Sequence, residues 1–244
     1  MKTLYVGDPH FKHTQKDELE RLMRFVDDTA VAHDVEQIVI LGDLNDNHGI
    51  LRTDNQVFWE KWLNILSGKQ SLFVLVGNHD MKNQGNDDDK ENSLSVYNLM
   101  DDRALHIIQS PVKFGIFGYM PYIHDKKRFV EEANALAEQG TKVLVCHGEF
   151  DGAAYDNGFF IPDGVKQEDL NFDLIISGHI HSRAHAPPRD LRLPAAGRGR
   201  RAGLLRRAHA PRSGSCRMPS VAPGARKHAA GLARMAGHAP ATGS

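Results

Sequence analysis

The chain has 244 residues, 41% of them hydrophobic and 25% charged, with a formal net charge of −1. That is the composition of a globular protein of one domain, or of one domain with an appendage. No window approaches the ~18 consecutive apolar residues of a membrane span, and two cysteines, Cys146 and Cys216, exclude a disulfide framework. The N-terminus carries no signal-type apolar run, so a reducing cytoplasm is the expected compartment.

In chain order, Leu4 to Val6 forms a first short apolar run, followed by a stretch from Gln15 to Ala32. There Leu19, Leu22, Met23, Val26 and Ala30 recur at helical intervals. Gln37 to Leu41 is a second run, and Asn55 to Leu66 a second helix with Phe58, Trp62 and Ile65 on one face. Its aromatic residues Phe58, Trp59 and Trp62 are expected in the core. Leu72 to Val76 follows as a strand, then Leu105 to Ile108 and Lys113 to Tyr119. A third helix spans Lys126 to Glu138, and strands return at Lys142 to Cys146 and Leu174 to Ile176. Short apolar runs between helices predict an α/β domain over residues 1–181.

The chain changes character at Ser182. Residues 182–244 hold twelve Arg and one Lys against one acid, a net of +12, which leaves −13 on residues 1–181. The segment is built mainly from Ala, Gly, Pro and Arg, and without aromatic residues it cannot offset its ordering entropy. A disordered basic tail is expected. It fits three accounts: a nucleic-acid grip, a solvated extension without a role, or a GC-rich gene read out of frame.

Each strand of residues 1–181 that carries chemistry stops at the same kinds of side chain. Asp8-Pro9-His10 follows the first, Gly42-Asp43-Leu44-Asn45-Asp46 the second and Gly77-Asn78-His79-Asp80 the third. His147-Gly148 and Gly178-His179-Ile180-His181 close two later ones. Carboxylate, imidazole and amide oxygen suit Mn²⁺, Fe²⁺, Zn²⁺ or Ni²⁺, and the lack of thiolates disfavours a structural zinc site. Asp-x-His and His-x-His on extended backbone would aim both side chains one way. The glycines before Asp43, Asn78 and His179 are expected to turn the chain sharply out of the sheet. His13, His33, His48, His106 and His124 stand outside these blocks and read as surface or satisfied histidines.

These five blocks resemble the calcineurin-like metallophosphoesterase superfamily, with its pattern D-x-H, G-D-x-x-D, G-N-H-[DE], H and G-H-x-H. The resemblance implies a β-sandwich flanked by helices and a pair of divalent metal ions, Mn²⁺ foremost, with Fe, Zn, Ni or Mg as alternatives. It implies that Asp8, His10, Asp43 and His181 hold one ion, and that Asp43, Asn78, His147 and His179 hold the other. His79 would then protonate the leaving oxygen, oriented and kept cationic by Asp46, while Asp80 supports the turn. The implied reaction is in-line attack of a hydroxide, activated between two cations, on a phosphoester.

Segments Ile116 to Tyr122, Cys146 to Ala153 and Tyr155 to Val165 look most like SbcD-type DNA-repair nucleases and their bacteriophage relatives. That likeness implies DNA as substrate and an SbcC-type ATPase as partner. A phosphatase or a cyclic-nucleotide phosphodiesterase is the alternative, and a truncated, inactive chain with a nucleic-acid-binding tail is a third reading. The −13 charge of residues 1–181 gives no basic footprint for DNA. Relatives continue past G-H-x-H with strands that complete the sandwich, whereas Ser182 onward offers none, so an exposed sheet edge is expected.

Overall fold

Buried parallel strands need apolar side chains on both faces, and the sequence supplies them in runs of four or five. In the computed structural model, β1 (Thr3–Val6), β2 (Gln37–Ile40), β3 (Ser71–Leu75) and β4 (Leu105–Ile108) form one sheet in that order. All three pairings in it are parallel. A second sheet runs β5 (Val112–Phe114), β6 (Phe117–Met120), β7 (Val143–His147) and β8 (Leu174–Gly178). Its β5–β6 pair is antiparallel and the others are parallel. The structure describes residues 1–48, 50–99, 104–155, 158 and 160–181. The reading of residues 182–244 as a disordered tail, like Asp156, Asn157 and Phe159 of the Tyr155 to Val165 loop, lies outside the described residues.

Alternation along the strands decides the layers. Ile38 and Ile40 of β2, with Leu72 and Val74 of β3, pack under α1 (Lys16–Ala32) and α2 (Thr53–Ser67). The intervening Val39, Phe73 and Leu75 face Tyr119 and Val145 of the second sheet. Leu144 and Cys146 then point to the outer face, under α3 (Lys126–Glu138) with Phe129 and Leu136. The result is a two-sheet sandwich flanked by helices, the fold the sequence predicted. Phe58, Trp59 and Trp62 are buried in it as expected.

Two local readings need correction. The run Lys113 to Tyr119 is a hairpin, not one strand, because Gly115 takes φ +60° and reverses the chain between β5 and β6. Leu22 of α1 is 37% exposed, since Leu19, Met23, Val26 and Ala30 alone complete the buried stripe. Among the described residues β8 forms the edge of the second sheet. No described helix is long and apolar enough to cross a membrane.

Candidate metal centre

The carboxyl ends of β1, β2, β3, β7 and β8 open on one region, where open α/β sheets place their sites. Past the strands, the loops after β1 and β2 stay paired: His10 N–H donates to Asp43 O (2.9 Å) and Phe11 N–H to Leu44 O (2.8 Å). The Asp80 carboxylate, fully buried, accepts from the amides of Gly77 (3.1 Å), Leu44 (3.4 Å) and Asn45 (3.4 Å), tying the β2 and β3 loops together. Burial and the nearby Asp43 push its pKa up to about 7.

Of the three glycines expected to turn the chain sharply, Gly42 alone takes a φ (+112°) that suits only glycine, while Gly178 leaves room for Asp8, whose Oδ1 would lie 2.5 Å from an added Cβ. At Gly77 the need is again for space, since an added Cβ would lie 2.2 Å from Asp43 Oδ1 and 2.5 Å from its amide nitrogen. Gly77→Ala is therefore expected to displace Asp43 and lower metal uptake, with a stability cost of about 1–3 kcal/mol. Elemental analysis and thermal unfolding check both effects. His10 and His179 take left-handed φ values of 44° and 83°, as does Asp43 at 51°. The two His-containing pairs thus do not alternate along extended backbone; local strain, concentrated at this site, aims the rings.

One group of ligand atoms is Asn78 Oδ1, His147 Nε2 and His179 Nδ1. Their separations are 3.0 Å (Asn78 to His147), 2.8 Å (Asn78 to His179) and 3.2 Å (His147 to His179). Each is fixed from its far side. His147 Nδ1–H donates to Leu41 O (2.7 Å), Asn78 Nδ2 donates to Gln84 Oε1 (3.1 Å), and His179 Nε2 meets Glu149 Oε1 (3.1 Å). With His147 neutral, three lone pairs face one another, which is the arrangement a divalent cation takes up on displacing the His147 proton.

The other group joins Asp8, His10 and His181. His181 Nε2 lies 3.2 Å from His10 Nε2 and 3.4 Å from Asp8 Oδ2. Asp8 Oδ1 is buried with no hydrogen-bond partner, an orphaned oxygen that a cation would satisfy. Asp43 stands between the groups: its Oδ2 is 3.4 Å from His147 Nε2 and 3.6 Å from His10 Nε2. All seven side chains read from the sequence as metal ligands converge, and their chemistry fits two divalent ions.

The electrostatics agree with that donor set. Burial lowers the pKa of His10 and of His179, so both rings favour the neutral form that binds metal. Burial also opposes charge on His147, but Asp43 and Asp8 outweigh it and lift its pKa to about 9. Burial works against the Asp43 carboxylate too, yet His147 and the His79 amide hold its pKa well below the usual range. A proton thus occupies His147 when no cation does. The folded pKa exceeds the ordinary 6.5, so this pairing stabilises the metal-free protein fully below that value and is lost as pH rises through about 9. In EDTA, the melting temperature is expected to fall between pH 7 and pH 9.5. Over the same interval below pH 9, Mn²⁺ affinity should rise about tenfold per unit as the displaced proton becomes easier to remove. Calorimetry and thermal unfolding measure the two trends.

His79 lines an open cleft of about 520 Å³ together with Asp8, His10, Asp43, Asp46 and His179. Its amide donates to Asp43 Oδ1 (2.9 Å) and its Nδ1–H to the main-chain carbonyl of Asp46 (2.7 Å). Asp46 therefore orients His79 through its backbone and not through its carboxylate, which instead pairs with Lys12 (3.2 Å) and faces His10 (3.9 Å). His48, read from the sequence as a surface or satisfied histidine, stacks on His79 with ring centroids 3.9 Å apart. Lys12, His48, Glu149 and Tyr155 are the site neighbours that sequence reading missed. Each enters through a contact no motif spells out.

A family model described as calcineurin-like phosphoesterase matches residues 1–183. The chain belongs to that family. Among curated relatives, the chain is 29% identical over 194 residues to protein 078R of Invertebrate iridescent virus 3. It is 30% identical over 191 residues to protein 244L of Invertebrate iridescent virus 6. Both carry the name phosphoesterase; the matches cover 75% and 74% of this chain but only 54% and 64% of theirs. Among solved structures, the Pseudomonas putida nuclease MPE is 17% identical with a TM-score of 0.38, covering 75% of this chain and 81% of that one. So loose a likeness adds nothing to the family assignment.

Proposed function

We propose that this phosphoesterase is a divalent-metal-dependent phosphodiesterase that cleaves DNA. The observation that carries the reading is the position of Asp43 Oδ2, within 3.4 and 3.6 Å of ligand nitrogens belonging to two separate groups. Two divalent ions held there, Mn²⁺ by preference, would supply Lewis acidity toward a phosphoryl group and a water activated near neutral pH. Asn78 offers a neutral oxygen and so limits the negative charge around the reacting phosphate. His79, held by the Asp46 carbonyl, is the group to deliver a proton to the leaving oxygen.

Support for DNA comes from the SbcD-like segments around Ile116 to Tyr122 and Cys146 to Ala153. It comes also from the open cleft, where Lys12 supplies the positive charge among the described lining residues. The same reading brings a cytoplasmic role in phage or bacterial DNA repair, with an SbcC-type ATPase as partner. The net −13 of residues 1–181 favours the second reading, a small phosphoester as substrate. Degradation of linear duplex or single-stranded DNA with Mn²⁺ supports the first. Hydrolysis of p-nitrophenyl phosphate with DNA left intact supports the second.

A further inference from the structure

We propose that Glu149 is the positioning residue of the Asn78–His147–His179 group, acting through His179. The inference rests on the two-cation reading of the site and adds to it the device that holds one ligand in a binding-competent form.

A neutral imidazole carries one N–H, and which nitrogen bears it decides which can bind metal. His179 has Nδ1 turned to Asn78 Oδ1 and His147 Nε2, while Nε2 lies 3.1 Å from Glu149 Oε1. A carboxylate accepts and does not donate, so the proton sits on Nε2 and the Nδ1 lone pair faces the other two ligands. Glu149 lies beyond the far nitrogen, across the ring from that group, and so is not itself a member of the ligand set.

The carboxylate is held in turn. Tyr155 Oη, at the cleft wall, donates to Glu149 Oε1 (3.2 Å). The backbone around Glu149 is anchored by Val165, whose amide donates to Glu149 O (2.8 Å) and whose carbonyl accepts from the Asp151 amide (3.0 Å). The end of β7 and the short loop after it thus deliver both a ligand, His147, and the residue that orients the ligand from the neighbouring strand end. Carboxylate-to-imidazole contacts of this kind raise ligand basicity, and their loss costs about 10–100-fold in metal affinity.

The test uses the full chain stripped with EDTA and titrated calorimetrically with Mn²⁺, alongside ¹⁵N spectra of His179 in the metal-free protein. Glu149→Ala is expected to weaken one of two Mn²⁺-binding steps by about 10–100-fold and leave the other unchanged. Glu149→Gln keeps an acceptor for Nε2–H and should recover most of that loss. The spectra should show the Nε2–H tautomer in wild type and in Glu149→Gln, and its loss in Glu149→Ala. Unchanged affinities in Glu149→Ala, or equal weakening of both steps, overturn the proposal. A wild-type chain that takes up no Mn²⁺ but shows the predicted tautomers overturns the two-cation reading and leaves the orienting contact standing.

Discussion

Asp43→Ala is expected to abolish binding of both metal ions and, with it, all turnover above the uncatalysed background. The reason is that one buried carboxylate serves three purposes. Its Oδ2 faces both ligand groups, at 3.4 and 3.6 Å, and its Oδ1 accepts the His79 amide. Removing it takes a negative charge away from each ion and frees the β3 loop that carries Asn78 and His79. It also leaves His147, fully buried, without its nearest anion, and an uncompensated charge in that position is costly. Asp43→Asn separates these effects, because the amide oxygen can still accept from His79 while the charge is gone. The fold should then survive, shown by a cooperative thermal transition in EDTA whose midpoint falls only by the lost His147–Asp43 charge pairing, while elemental analysis still finds metal depleted. Retention of two ions and full activity by either variant would show that Asp43 does not bridge.

His79→Ala is expected to keep both ions and lose turnover by about 10²–10⁴-fold, the range typical of a general acid. The loss should depend on the leaving group. A p-nitrophenolate departs readily without a proton, so the deficit on that ester should be small, whereas a ribose-type alkoxide needs the proton and should suffer the full effect. Geometry allows a competing role, since His79 offers a ring nitrogen close enough to His10 and Asp43 to join a metal-binding group with them. Metal content discriminates: a variant depleted of an ion marks His79 as a ligand, and a variant that is metal-replete but slow marks it as the proton donor.

The five blocks at the strand ends were legible because each candidate ligand lies within a few residues of an apolar run. Strand termini in a parallel sheet share one end, so residues written just past them must come together. Asp8, Asp43 and His147 needed no more than that. Most of the burial stripe of α1 and the aromatic core of α2 are likewise local properties of spacing, whereas the exposure of Leu22 and the reversal at Gly115 were misread.

Contacts between loops were not legible, for they depend on how two sheets stack and on which atom of a residue is presented. Glu149 reaches His179 across thirty residues, and Asp46 turns its carbonyl to His79 while its carboxylate goes to Lys12. The amino-acid sequence by itself determined which donors exist and which end of the sheet they occupy, since hydrophobic period and strand polarity are written locally. Only the tertiary structure decided which nitrogen of each histidine faces the metal positions and that one oxygen of Asp43 faces both, because hydrogen bonds formed across the packed sheets select the tautomers and rotamers.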